Sequence, residues 1–499
     1  MTGRRIPPFP ATSYELREHA PALNWIGGRF VDPGNLQTLE VINPRHGRPM
    51  STVVMSGAAE VDAAVDAARR AQPGWREWPM RERAQVMYRL KAKMEQHLEE
   101  LSWLVSHENG KTREEAEQSV LKSIECAEYG CSLPNLGAGE QLDVSRGVNC
   151  RVVYEPVGVC AGVTPFNFPL MVPLWMIPQA LVGGNAFVLK PSEQVPLGAM
   201  RLAEMLADSG LPDGVFNVVH GGREVVEALC DHEGISAVAF VGSTKVAKLV
   251  YARGAQTGKR MLCLGGAKNH LIVVPDADVA LTAQNVVASF TGCAGQRCMA
   301  AANVVAVGEV DHIIEAVVAE ARKLVVGKDM GAITSQQAVD RIRSYIDGAE
   351  KSGADVVVDG RGAQADAGGY WLGPTILDRV PPESPAARDE IFGPVLSILR
   401  VRSVEEALAL ENGNPYGNAA SVYTTSGEVA RYVTERLDAG MIGVNIGVPV
   451  PREPFGFGGW NQSKFGHGNI TGWDGFRFWT RPRKVTTKWA EQKDWTWMS

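Results

Sequence analysis

The densest chemical signal in the chain is TGCAGQRCMAA, residues 291–301. Cys298 stands there among glycines and other small residues, directly after Arg297. Small neighbours leave room for a substrate at a thiol, and local backbone amides can stabilise the oxyanion formed when a thiolate attacks a carbonyl. Most cysteines in proteins are simply buried, so Cys298 needs partners before it reads as a nucleophile. Several other chemistries are missing. There is no G-x-G-x-x-G dinucleotide loop and no G-x-S-x-G elbow. Gly110-Lys111-Thr112 imitates the end of a phosphate loop, but Val105 stands where that loop needs its first glycine. The nine histidines include no H-E-x-x-H and the eight cysteines no C-x-x-C, so no metal site is expected.

A reactive thiol must be held in place, and the rest of the chain shows how. At 499 residues, two or three domains are expected. Hydrophobic residues make up 45% and charged residues 21%, which excludes disorder as the main state. Lys+Arg of 50 against Asp+Glu of 56 leaves a net charge of -6, which argues against nucleic-acid binding through bulk charge. Sparse cysteines suit reduced thiols in a cytoplasmic protein, and MTGRRIPPFPATSYELREHAP lacks the apolar run of a secretory signal. The most apolar long stretch, residues 157–184, holds four prolines plus Asn167 and Gln179, so no membrane span is expected.

The patterning is that of an α/β protein. NWIGGRFVDPG reads as a hairpin, and AAEVDAAVDAARRAQPGW as an amphipathic helix that Pro73-Gly74 should end. VNCRVVYEPVGVC lies in a strand pair over 138–159. From residue 160, AFVLKPS, VFNVVHGG and AVAFVG alternate with helical runs, the signature of a parallel sheet with helices on both faces. NHLIVVPDAD opens a second region of the same kind, in which His270 is expected to order a loop. FRFWT…KVTTKW near the end reads as a strand.

Taken together and in order, TPFNFPL (164–170), FVLKPSE (187–193), FVGST (240–244), LGGAKNH (264–270), GQRCMA (295–300) and DEIFGPV (389–395) resemble the aldehyde dehydrogenase superfamily. PFNFPLMVPLWM, GAKNH and QRCMA are similar to one branch, the CoA-acylating methylmalonate-semialdehyde dehydrogenases. The resemblance spans roughly residues 25 to 490 and implies two doubly wound parallel-sheet domains plus a small β oligomerisation element. The NAD-binding domain would comprise 1–137 and 158–265, the catalytic domain 266–462, and the oligomerisation element 138–157 with 476–490. A homodimer or homotetramer is implied.

The resemblance also implies roles. Cys298 would form a thioester with the aldehyde, and Asn167 with the Cys298 N–H would hold the oxyanion. Phe166 would belong to the cofactor site. Lys190 and Glu193 suit the adenosine ribose hydroxyls, and a carboxylate there favours NAD over NADP. Ser243 opens a helix whose free N–H groups suit a pyrophosphate. Glu390 and Phe392 would hold the nicotinamide ribose and ring.

Two departures matter. Aligned on Lys268, Leu264 takes the place of the glutamate that activates water in hydrolytic members, and 261–275 contains no carboxylate. Without that base the thioester should persist until the CoA thiol takes the acyl group. Members of the branch hold the substrate carboxylate with two arginines. Arg297 matches one, but Lys122 replaces the other and loses the planar two-point fork. The expected substrate is a small carboxylated semialdehyde such as malonate or methylmalonate semialdehyde. A longer or aromatic aldehyde, with CoA transfer or hydrolysis, stays open. Trp175, Phe455 and Trp460 are candidates for the substrate mouth.

Overall fold

A computed structural model describes residues 14–137, 139–365 and 368–489. Two large sheets dominate. The first has eight strands. Its centre is five parallel strands in the order Phe216–Val218, Ala186–Lys190, Val159–Val163, Ala237–Val241 and Arg260–Leu264. Three of the five central strands, VCAGV, AFVLK and FNV, are buried throughout. Such runs form when helices cover both faces of a sheet. Alternate residues accordingly enter two separate cores: Leu262 and Leu264 pack on one side, Met261 and Cys263 on the other.

The second sheet has seven strands. Six are parallel, in the order Thr375–Asp378, Val395–Val401, Ala301–Val307, Asn269–Val273, Ala419–Tyr423 and Met441–Val444. Asp355–Val358 pairs antiparallel at one edge. Apart from both lies a three-stranded antiparallel sheet, Thr480–Lys488, Val148–Pro156 and Glu140–Ser145. The fold is thus the α/β architecture expected, two doubly wound sheets plus a small β element.

Three local expectations fail. The helix Ala58–Glu77 runs through Pro73-Gly74 instead of stopping there. Proline removes one backbone bond, but tertiary contacts hold the last turn. The buried Trp75 donates its indole N–H to the Leu181 carbonyl at 2.9 Å, and Arg83 donates to the carbonyls of Arg76 and Trp78. Near the C-terminus, Gly472–Phe478 is a helix, and the strand begins only at Thr480. Its aromatics stack at helical spacing, Trp473 on Phe476 with centroids 5.3 Å apart. His270 is not in a loop. It sits in the strand Asn269–Val273, buried between Glu411 and Asn303.

Candidate active site

The first sheet presents its carboxyl edge to the site. Val159–Val163 lies between Ala186–Lys190 and Ala237–Val241, so the chain order reverses between Val159–Val163 and Ala237–Val241. Ligands bind at such a switch point because diverging loops leave a crevice there. Pro165, Phe166 and Asn167 follow one of these strands; Gly242 and Ser243 follow the other. Ser243 caps the helix Thr244–Gln256, yet no side chain caps the N–H groups of its first turn. Those donors are available to an anion.

The second sheet presents its amino edge. Arg297 and Cys298 precede Ala301–Val307, Glu390 and Phe392 precede Val395–Val401, and Asn418 precedes Ala419–Tyr423. The loop before Cys298 is unusual in its backbone. Cys293, Ala294 and Gly295 have φ of 53°, 52° and 69°. Glycine is required at 295, because a Cβ there would sit 2.1 Å from the Gly393 carbonyl oxygen. That close approach packs the Cys298 loop against the loop carrying Glu390 and Phe392.

Two cavities meet at Cys298. One of about 350 Å³ is lined by Phe166, Asn167, Ser243, Gly265, Gly266, Arg341, Glu390 and Phe392. The other, of about 770 Å³, is lined by Lys122, Met171, Arg297, Met299, Val448, Glu453 and Phe457 among others. Cys298, Phe168 and Trp175 belong to both. The residues singled out from sequence are therefore brought together, with two qualifications. Lys190 and Glu193 line neither cavity. They pair with each other at 2.8 Å beside the strand end from which Thr164 and Pro165 depart. Of the three aromatics, Trp175 faces the site, but Phe455 is 73% and Trp460 49% exposed and neither lines either of these two cavities; Phe457 does.

The Asn167 amide donates to the Gln296 carbonyl at 3.0 Å. An amide has two N–H donors, so one remains for an oxygen on Cys298. The Cys298 carbonyl is clamped from the other side by Asn269 at 2.8 Å and Asn418 at 3.0 Å. Lys111 is buried, donates to the Asn167 carbonyl and to Asn109 Oδ1, and lies 4.5 Å from the Phe168 ring centroid. Burial lowers its pKa, with Cys293 and Glu115 opposing. Sequence reading missed Lys111, Asn269 and Asn418. Gly-Lys-Thr was compared only with a phosphate loop, and Asn269 was visible only as part of GAKNH.

The electrostatics describe a resting thiol. Burial pushes Cys298 up to about 12, with Glu390 adding in the same direction. Glu390 is itself raised to about 7 by burial, against the Ala267 N–H that it accepts at 2.9 Å and against Lys268. Arg297 turns its guanidinium onto the carbonyls of Ala288 and Ser289 at 2.7 and 3.0 Å. Lys122 pairs with Glu453 at 2.9 Å and Glu125 at 3.0 Å.

A cysteine at the junction of two cavities, with a switch-point crevice on one side, is the arrangement of an α/β protein with room for two ligands at one thiol. Comparison with known proteins gives the family. The model of the aldehyde dehydrogenase family matches residues 30–485, and the chain belongs to that family. It is 44% identical over 475 residues to malonate-semialdehyde dehydrogenase 2 of Geobacillus kaustophilus, covering 93% of this chain and 98% of that one. A crystal structure of methylmalonate-semialdehyde dehydrogenase from Oceanimonas doudoroffii superposes with a TM-score of 0.93 at 40% identity, covering 95% of this chain and 99% of that one. A protein from Sinorhizobium meliloti 1021, assigned as a methylmalonate-semialdehyde dehydrogenase and solved with NAD, gives a TM-score of 0.93 at 38% identity, covering 96% and 100%. Among the described residues, no helix is long and apolar enough to cross a membrane, and no cluster of potential metal ligands occurs.

Proposed function

We propose that the protein oxidises a short semialdehyde with NAD through a thioester on Cys298 and passes the acyl group to coenzyme A. The relatives' substrates, malonate and methylmalonate semialdehyde, are the candidates. The Cys298 thiolate attacks the aldehyde carbon; a C–S bond forms and the carbonyl electron pair moves onto oxygen. The free Asn167 N–H and the Cys298 backbone N–H hold that oxyanion. A bound NAD would supply the acceptor for the hydride on that carbon. Collapse of the oxyanion restores the carbonyl and leaves a thioester. The CoA thiolate then attacks it, the bond to Cys298 breaks, and the Cys298 thiolate is regenerated. A malonyl or methylmalonyl group that loses CO₂ and takes up a proton from water on the way leaves as acetyl-CoA or propanoyl-CoA.

The dinucleotide fits residues already described. The uncapped first turn after Ser243 suits the pyrophosphate, Glu390 and Phe392 suit the nicotinamide riboside, and Phe166 packs edge-on to Phe392 at 5.9 Å. The carboxylate of Glu193 beside Lys190 suits ribose hydroxyls and disfavours a 2′-phosphate. In the same reading, residues 1–137 with 158–265 and residues 266–462 act as cofactor and catalytic units. The three-stranded sheet joins copies into a homodimer or homotetramer, and the enzyme is cytoplasmic.

The observation that carries the choice of acceptor is Leu264. It is 4% exposed and packs in the apolar cluster that includes Met299 and Cys298, where hydrolytic members of the family carry their general base. Incubation with NAD and malonate semialdehyde should give one NADH per active site, then turnover to acyl-CoA once CoA is added. Steady release of free acid without CoA would remove the argument from Leu264. A second reading, a longer or aromatic aldehyde, draws support from the 770 Å³ cavity and from Lys122 being engaged by carboxylates.

A further inference from the structure

The cavity on the far side of Cys298 from the dinucleotide crevice has an uneven charge distribution. Carboxylates from Glu114, Glu115, Glu320, Asp329 and Glu453 line it, against the cations Lys122, Arg297 and Arg452. None of the three cations is idle. Arg297 holds two backbone carbonyls. Arg452 reaches Glu125 at 3.7 Å. Lys122 is the most enclosed of the ion pairs in this wall: its side chain is 19% exposed and that of Glu453 11%. The other Glu453 oxygen faces the Cys126 thiol at 3.9 Å. Burial alone would drive Lys122 toward its neutral form, but its hydrogen bond to Glu453 and the nearby charges outweigh it and keep the ammonium charged.

We propose that Glu453 is a specificity-determining residue: by occupying the Lys122 ammonium inside the Cys298 cavity, it holds back aldehydes that carry a carboxylate and admits those with an uncharged tail. The proposal rests on the reading that this cavity receives the aldehyde. A second carboxylate brought to Lys122 meets Glu453 at contact distance in a partly buried setting, where like charges repel strongly. An uncharged tail leaves the pair intact and packs on Met171, Trp175, Val448 and Phe457. The cavity thus takes uncharged aldehydes alongside carboxylated ones, and Glu453 sets the ratio between them.

The test compares the whole enzyme, Glu453→Gln, and the double variant Glu453→Gln/Lys122→Met. The primary readout is the ratio of kcat/KM for malonate semialdehyde to that for butanal, with NAD and CoA present. Glu453→Gln should raise this ratio about tenfold or more, with thermal unfolding serving as the control for folding. The double variant should lose the gain, because the effect passes through Lys122. A parallel readout needs no turnover: protection of Cys298 from iodoacetamide by 3-hydroxypropanoate relative to 1-propanol. It should shift in the same direction. An unchanged or lower ratio in Glu453→Gln, by either readout, overturns the proposal. Absence of NADH from every aldehyde would instead sink the proposed function, while the protection ratio would still decide the role of Glu453.

Discussion

At the carboxyl edge of the first sheet, where the chain order reverses, Asn167 and Ser243 frame an open crevice and a helix start that no side chain caps. The second sheet has the same kind of reversal, at Asn269–Val273 between Ala301–Val307 and Ala419–Tyr423. There an exposed carboxylate takes up the donors at the strand end. Asp276 accepts from the hydroxyls of Thr424 at 2.8 Å and Thr425 at 2.9 Å and from the Thr425 N–H at 3.1 Å. Burial resists the charge on Asp276, but these donors prevail and hold its carboxyl below the usual range. Two similar sheets therefore divide the work. One leaves a helix start uncapped beside Cys298. The other engages its donors with a carboxylate and turns its opposite edge toward Cys298. Equivalent topology does not make equivalent sites.

That contrast can be broken at several points. Removing the nucleophile, Cys298→Ala, should lower NADH formation by about 10³-fold or more, with thermal unfolding unchanged. Asn167→Ala, which deletes the oxyanion donor supplied by the first sheet, should reduce kcat by about 10²- to 10³-fold with little change in KM. From the second sheet, Asn269→Ala with Asn418→Ala frees the Cys298 carbonyl and should cost about 10- to 100-fold in kcat through misplacement of the thiol. If the two asparagines cost nothing, the amino edge of the second sheet does not orient the nucleophile.

A pH experiment sharpens the point further. Cys298 is held up to about 12 in the free enzyme, so its alkylation by iodoacetamide should climb from pH 7 to 10 without a plateau. Glu390 ionises near pH 7 and opposes the thiolate. Glu390→Gln should therefore speed alkylation at pH 8, by a few-fold. The smallest effect on activity belongs to Asp276→Ala. It should leave kcat unchanged and lower stability by about 0.5–1 kcal/mol, since the donors of Thr424 and Thr425 exchange an exposed carboxylate for water. The folded pKa of Asp276 is depressed, so its contribution is full above about pH 4 and is lost as pH falls further. The destabilisation should shrink in acid, as thermal melts at pH 7 and in acid would read.

Much of this was legible in the sequence because it depends on local pattern. Strands buried on both faces, such as AFVLK and VCAGV, announce themselves as continuous apolar runs, and the motif around Cys298 carries its glycines for steric reasons visible in the string. What was not legible depends on distant contacts. Pro73 lies inside a helix because Trp75 and Arg83 are anchored by residues far along the chain. FRF folds as a helix, with Trp479 at its end, because Phe476 finds Tyr154 and Trp479 finds Phe187. Lys111 matters through a carbonyl more than fifty residues away. Glu453 matters only once the fold has brought it against Lys122.

Cys298, Phe168 and Trp175 are all that the two cavities share. This has a consequence for traffic. A nucleotide on one side and an aldehyde on the other reach the sulfur without passing each other, so neither has to wait for the other to clear the way. Once the acyl group is on sulfur, the reduced nucleotide can depart through its own compartment while the acyl group stays tethered in the other. In the proposed reaction the thioester is then a stored intermediate between two independent exchanges. With Leu264 offering no base to discharge it, its lifetime would be set by the arrival of the next thiol.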